Sequence, residues 1–339
     1  MQLARGYFVD VVQVLLATSV PDIPYAVGRL GSGSDVLGLD DVTSRDHDWG
    51  LRLTVLVDAE HVSRLDDILA ERLPMTYAGW PTRFATTFDP SVAQRVEVAD
   101  PTAFAESRLG LHPLRLAAEP RLWLALTGQS VLEVVGGPVF VDQVGAITAI
   151  RRQLDWYPDD IWRHVLAADW QRISQELPFV GRTADVGDEL GSRLITARLA
   201  GTLVHLAFML ERAWSPYPKW AGTVLSTRHT GPEIRSALDA AMSATTWADR
   251  EVGLVGAIGT LWRRQHELGL PVADVPTEQF FDRPYRAVPE TAVTRLIEAI
   301  GDPELRSRPP VGSVEQWVDS VDVLVDPAVR LRLTSRSPT

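Results

Sequence analysis

The chain has 339 residues, 45% of them hydrophobic and 23% charged, a soluble globular composition that can bury most of its apolar surface and suits two domains. It contains no cysteine, which excludes disulfides, zinc–thiolate sites and cysteine nucleophiles. The net charge of −11 is spread along the chain and argues against a nucleic-acid partner, because gripping phosphates needs a basic surface; it suits a small or cationic acceptor.

Residues 1–20 read as an amphipathic helix, with Leu3, Phe8, Val11, Val12, Leu15 and Leu16 at helical spacing. Asp10 and Gln13 interrupt the apolar run, so a signal peptide is not expected. No stretch reads as a run of about 18 unbroken apolar residues, so no membrane span is expected and the location is read as cytoplasmic. A short strand over 25–30 runs into Gly31-Ser32-Gly33-Ser34. Residues 51–57 alternate and are rich in β-formers, a second strand. Residues 60–73 carry Val62, Leu65, Ile68 and Leu69 on one helical face, and 94–99 read as a third strand, with Glu97 opposite Val96 and Val98.

From residue 102 onward helical patterns dominate and strand signals nearly vanish. Helices are expected over 158–176, 185–212, 232–243, 247–268 and 290–300, with Pro158 at a start and Pro216 and Pro218 as stops. Residues 269–288 are irregular and include Asp282-Arg283-Pro284-Tyr285, a lid, an acceptor contact or a structural turn. Trp156, Trp162, Trp170, Trp214 and Trp220 read as core rather than as a platform for an acceptor.

One segment carries a chemical pattern. A Gly-Ser turn after a strand offers backbone N–H groups and a hydroxyl to an anion, here at Gly33 and Ser34. Some dozen residues later Ser44-Arg45-Asp46-His47-Asp48 sets two carboxylates two positions apart, on the same side of an extended chain. Asp46 and Asp48 can then hold a hard divalent cation, and Glu97 on a neighbouring strand completes a carboxylate trio. Alone, an Asp-x-Asp in a loop is a common turn or capping pattern, and a Gly-Ser repeat is merely flexible. The order of the parts is what is specific. Of the 33 basic residues 32 are arginine, so the single lysine, Lys219, is a candidate point charge for a triphosphate, with a surface charge as the alternative.

This order resembles the nucleotidyltransferase superfamily, whose signature is a Gly-Ser turn, an Asp-x-Asp pair and a later acidic residue on a strand. The layout is similar to the aminoglycoside adenylyltransferases, and Val96-Glu97-Val98 is similar to their glutamate-bearing strand. The whole chain more closely resembles an uncharacterised bacterial family of nucleotidyltransferase-like proteins, a domain of unknown function. That likeness is carried by Gly33-Ser34-Asp35-Val36-Leu37-Gly38, the 44–50 segment, Trp156-Tyr157-Pro158-Asp159-Asp160, Pro178-Phe179-Val180-Gly181-Arg182, Tyr217-Pro218-Lys219-Trp220 and Asp282-Arg283-Pro284-Tyr285. It departs from the antibiotic enzymes where Trp49-Gly50 separates the pair from the next strand, and where Arg45 separates Ser44 from Asp46.

The resemblance implies an α+β protein: an N-terminal nucleotidyltransferase-like mixed sheet with flanking helices over 1–110, and an all-helical domain over 111–339 that closes the active-site cleft. It implies a Mg²⁺-dependent transfer of a nucleoside monophosphate, AMP from ATP or its counterpart from another NTP, to a hydroxyl of a small-molecule acceptor. Asp46, Asp48 and Glu97 are the expected catalytic and metal-binding residues for one or two Mg²⁺ ions. Gly33, Ser34, Ser44 and Lys219 are expected on the nucleotide. Two alternatives stay open: an adenylyltransferase that modifies proteins, and a non-catalytic nucleotide- or partner-binding relative on the same scaffold.

Overall fold

The computed structural model describes residues 1–41, 50–86 and 89–335, which divide into two compact units. The first comprises Met1–Ala118 and Ser130–Asp155, the second Glu119–Gln129 and Trp156–Thr339.

The first unit is built on a four-stranded mixed sheet. Its strands are β1 (Ala26–Gly28), β2 (Leu53–Leu56), β3 (Val96–Ala99) and β4 (Val139–Asp142), in the spatial order β3-β2-β1-β4. β1 runs antiparallel to both β2 and β4, while β2 and β3 are parallel. A parallel pair needs a crossover, supplied by the helix α2 (Val62–Arg72). The N-terminal helix α1 (residues 2–19) and α2 cover one face of the sheet. Tyr7, Phe8, Val12 and Leu16 of α1 and Leu65 and Leu69 of α2 pack there with Val27, Leu53, Val55 and Val96. Every residue of β2 is buried, as expected of a central strand. Truncating Leu65 or Leu69 to alanine should cost about 2–5 kcal/mol.

After β3, Asp100 caps the helix α3 (Pro101–Leu109), its carboxylate accepting from the Thr102 and Ala103 N–H groups. Pro101 begins the helix and Gly110, at φ 83°, ends it. The helix α4 (Gly128–Val135) leads through Gly136-Gly137 into β4, and α5 (Ala146–Gln153) follows. Gly137 lies at φ 71°, and a Cβ there would collide with the Arg29 carbonyl, so this turn requires glycine.

β4 corrects the expectation that strands nearly vanish after residue 102. It is short and partly exposed, and its partner, β1, lies more than a hundred residues earlier. The first unit therefore runs past residue 110, where the sequence reading ended its first domain.

The second unit is helical. Its main helices are α6 (Asp159–Glu176), α7 (Phe179–Ala184), α8 (Glu189–Leu210), α9 (Pro218–Leu225), α10 (Gly231–Ser243), α11 (Trp247–Glu267), α12 (Thr291–Glu298) and the short α13 (Val314–Trp317). The helix expected over 185–212 starts later, at Glu189, where the Asp188 carboxylate accepts from the Gly191 N–H as its cap.

By length and mean hydropathy α8 is apolar enough to cross a membrane, yet Arg193 and Arg198 interrupt it and it holds no unbroken apolar run of that length. Its Leu199, Leu203, Leu206 and Phe208 are wholly buried within this unit. Trp162, Trp170 and Trp214 are core residues, and Trp214 stacks on Trp123 with the rings 4° from parallel. The 282–285 segment closes a two-residue ladder between Glu278–Gln279 and Arg286–Ala287. There Tyr285 packs edge-on against Trp247 and donates its hydroxyl to Asp185, a structural anchor.

Candidate active site in the first unit

The sheet register fixes one end of the first unit. Gly28 of β1 pairs with Thr54 of β2, and Thr54 pairs with Glu97 of β3. The exit of β1, the start of β2 and the start of β3 thus lie side by side. The chain leaves β1 into the Gly-Ser turn at this end, and it returns through Gly50-Leu51-Arg52 into β2 at the same end.

Arg29, directly after β1, organises the turn. Its side chain is buried and every donor group is engaged. Nε and Nη2 reach the two Asp35 carboxylate oxygens at 2.6 and 2.8 Å, while Nη1 and Nη2 donate to the Leu30 and Ser32 carbonyls. A buried guanidinium is tolerated because it is paired and hydrogen-bonded all round. The loop wraps so closely that Gly33 takes φ 131°, and a Cβ there would lie 2.6 Å from Arg29 Nη2. Ser34 opens a 3₁₀ turn through Leu37 that ends on Gly38, at φ 71°. The Ser34 hydroxyl donates to Asp40 at 2.7 Å.

Glu97 projects from β3 on the face opposite the core and is partly exposed. Both its oxygens accept from Arg108 Nη2, at 2.7 and 2.9 Å. Arg108 sits in the last turn of α3, its guanidinium 4.5 Å above the Phe104 ring. Nη2 also lies 3.6 Å from the position a Cβ would occupy on Gly31. Arg108 thus stands between Glu97 and the Gly-Ser turn. Beside Glu97 a groove of about 360 Å³ is lined by Arg52, Asp66, Gln94 and Arg95. Arg95 is held in its wall by the Phe84 carbonyl and by Asp89, whose carboxyl is pulled down to about 2 by its bonds from Ser91 and Arg95.

The structure therefore brings Gly33, Ser34 and Glu97 to one end of one sheet. Asp46, Asp48 and Ser44 lie outside the described residues. Among the described residues, no group of three or more His, Asp or Glu side chains is arranged for a metal. Lys219 belongs to the second unit, in the first turn of α9; it is exposed, with Nζ 4.9 Å from the Trp220 ring centroid. A cation in a helix's first turn opposes the dipole, so this charge does not serve its own helix. It sits at the rim of an apolar groove of about 380 Å³ with Val204, Leu238 and Met242.

Sequence reasoning missed Arg29 and Arg108, two of 32 arginines with no local motif around them. A single signal could have marked Arg29: it stands between a strand and a glycine turn, where a charge is buried unless the turn folds over it.

A family model described as "Domain of unknown function (DUF4037)" matches residues 123–221, a stretch that includes Lys219 but none of Gly33, Ser34 or Glu97. The chain matches none of the curated proteins. Among solved structures, a nucleotidyltransferase-like protein from Exiguobacterium sibiricum 255-15 is similar over 79% of this chain and 78% of its own, with 13% identity and a TM-score of 0.34.

Proposed function

We propose that the first unit carries a Mg²⁺-dependent nucleotidyltransferase site that moves a nucleoside monophosphate, AMP from ATP, to a hydroxyl of a small-molecule acceptor. The observation that carries this reading is the row Gly28–Thr54–Glu97, which gathers the Gly-Ser turn, the approach to β2 and the third carboxylate at one end of the sheet. The order of motifs along the chain supplies the rest.

In this reading Gly33 and the hydroxyl of Ser34 bind phosphate oxygens, and Ser44 is a further residue proposed for the nucleotide. Ser34 turns its O–H from Asp40 to the ligand, and Arg29 keeps the loop in shape. Glu97 fits a hard cation by its chemistry, since it offers carboxylate oxygens at a partly exposed position on a rigid strand. With Asp46 and Asp48 it would hold Mg²⁺. The cation supplies charge neutralisation and a lowered pKa for the attacking hydroxyl. Glu97, as general base, accepts the acceptor's proton. Arg108 competes with the cation for the Glu97 oxygens. The rate enhancement would come from positioning and fixed charge.

The test is ATP labelled at the α-phosphate, incubated with the protein, Mg²⁺ and a small-molecule extract. Label on a small acceptor, with release of pyrophosphate, supports the reading; label on protein supports the protein-modifying alternative. The bidentate hold of Arg108 on Glu97 favours a second reading, a nucleotide-binding relative that does not turn over. ATP binding without label transfer under any acceptor would support that one.

A further inference from the structure

The second unit holds a polar cleft that the proposed transfer does not use. Two adjoining grooves of about 450 and 420 Å³ share Asp169, Arg172, Gln316 and Trp317 in their walls. We infer that this double groove binds a small molecule bearing an oxyanion, carboxylate or phosphate, on a flat apolar body, with Arg172 taking the oxyanion and the Trp317 indole taking the flat face.

The argument begins on α6. Arg172 lies three residues after Asp169 and four before Glu176, the two positions from which a helical carboxylate ordinarily pairs with an arginine. Both are spent elsewhere. Asp169 receives His205 Nδ1 at 2.7 Å and the Gln316 amide at 2.8 Å. Glu176 is ion-paired to Arg198. The other deep carboxylate of the cleft, Glu315, accepts the Gly128 N–H at 3.0 Å. Among the described residues, no hydrogen bond or ion pair reaches the half-buried Arg172 guanidinium. Taking an unpaired charge part-way out of water is costly, and a planar fork is the group best matched to a carboxylate or phosphate.

The walls supply the rest of the specificity. His205 is held between Asp169 and Glu315; burial opposes its charge, but the two carboxylates win and keep it protonated to about 10. Its Nε2 is 3.7 Å from Glu315, too far for a hydrogen bond, so the buried N–H on that side lacks a partner. Trp317 ends α13, which is rigid: the Ser313–Gln316 capping box closes it, and Gln316 also donates to the Val165 carbonyl. Trp317 is nevertheless 41% exposed, and Pro309, Pro310 and Val311 line the groove beyond it. An apolar wall with a few convergent polar groups is the usual form of a small-molecule site. This inference does not rest on the nucleotidyltransferase reading.

The test uses the full chain and two aromatic anions, phenyl phosphate and phenylacetate, with benzyl alcohol and benzylamine as neutral and cationic controls. Saturation-transfer NMR and calorimetry should detect one or both anions and neither control; whichever anion binds identifies the oxyanion as phosphate or carboxylate. Arg172→Gln should weaken binding at least about tenfold, with Arg172→Lys in between, since the charge remains and the fork is lost. Trp317→Ala, at an exposed position, should abolish saturation transfer to the ring while leaving the melting temperature unchanged. If Arg172→Gln does not fold, the Trp317→Ala result decides. Failure of both anions to bind, binding that Arg172→Gln and Trp317→Ala leave intact, or preference for benzylamine would overturn the inference.

Discussion

Both carboxylate oxygens of Glu97 are held by one nitrogen of Arg108, eleven residues later in the chain. The pair sits 21% and 39% exposed on its arginine and glutamate sides, so its net contribution to stability is small, about 0.2–1 kcal/mol. Its consequence is for charge: while the pair is closed, a cation at Glu97 competes with a guanidinium.

Arg108→Ala should therefore change melting temperature little while leaving Glu97 free. The expected result is tighter Mg²⁺ binding, read by calorimetry with Mg²⁺ and ATP, together with weaker ATP affinity if the guanidinium also meets phosphate. Unchanged Mg²⁺ and ATP binding would remove Arg108 from the site.

Glu97→Gln should keep nucleotide binding and lower transfer by about 10²–10⁴-fold if Glu97 is the base. Single-turnover kinetics and thermal shift with ATP separate the two effects. Loss of nucleotide binding as well would make Glu97 a metal ligand instead.

Gly33→Ala tests the turn. The φ of 131° and the close approach to Arg29 both forbid a side chain, and a forced left-handed conformation costs about 1–3 kcal/mol. The melting temperature of the first unit should fall and ATP affinity with it. Arg29→Ala should cost more, about 3–5 kcal/mol, because it leaves the Asp35 carboxylate without its partner. An Arg29→Met, Asp35→Leu double variant that regains stability would confirm that unpaired charge, not lost packing, is the cause.

How much of this was legible in the sequence follows from how local each signal is. β2, β3, α2, α6, α10, α11 and α12 are written in short-range periodicity and caps, and each lies within a few residues of its expected span. β4 was not legible, because Val139–Asp142 is defined by a partner strand more than a hundred residues away. The same reason hid Arg108 and Arg29: an arginine's partner is decided by the fold, and nothing beside it in the chain names Glu97 or Asp35. The placement of Gly33, Ser34 and Glu97 beside β1 and β3 was legible because strand ends are marked locally, while their role on a nucleotide is what the predictions test.

The pH dependence of the second unit carries a signed expectation. His205 is raised from 6.5 to about 10, so it contributes stability that is fully present below pH 6.5 and lost as pH rises through 10. Thermal melts from pH 7 to 10 should show a falling melting temperature, and His205→Gln should flatten that slope while lowering stability at pH 7. A wild-type stability that is flat or rises across this range would contradict a protonated His205.

Lys219→Ala should weaken ATP affinity far more than adenosine affinity, because only the phosphates carry charge to neutralise. Lys219→Arg should restore part of it. Equal losses for ATP and adenosine, or none, would leave Lys219 as a surface charge.

The most direct measurement of the central claim compares wild type with Asp46→Asn and Asp48→Asn, using ATP labelled at the α-phosphate, with and without Mg²⁺. The account predicts pyrophosphate release and α-label transfer by wild type only when Mg²⁺ is present, and neither by the two variants, with all three proteins equally folded by circular dichroism. Transfer that persists in either variant at low Mg²⁺, or that moves the γ-phosphate instead, would contradict it.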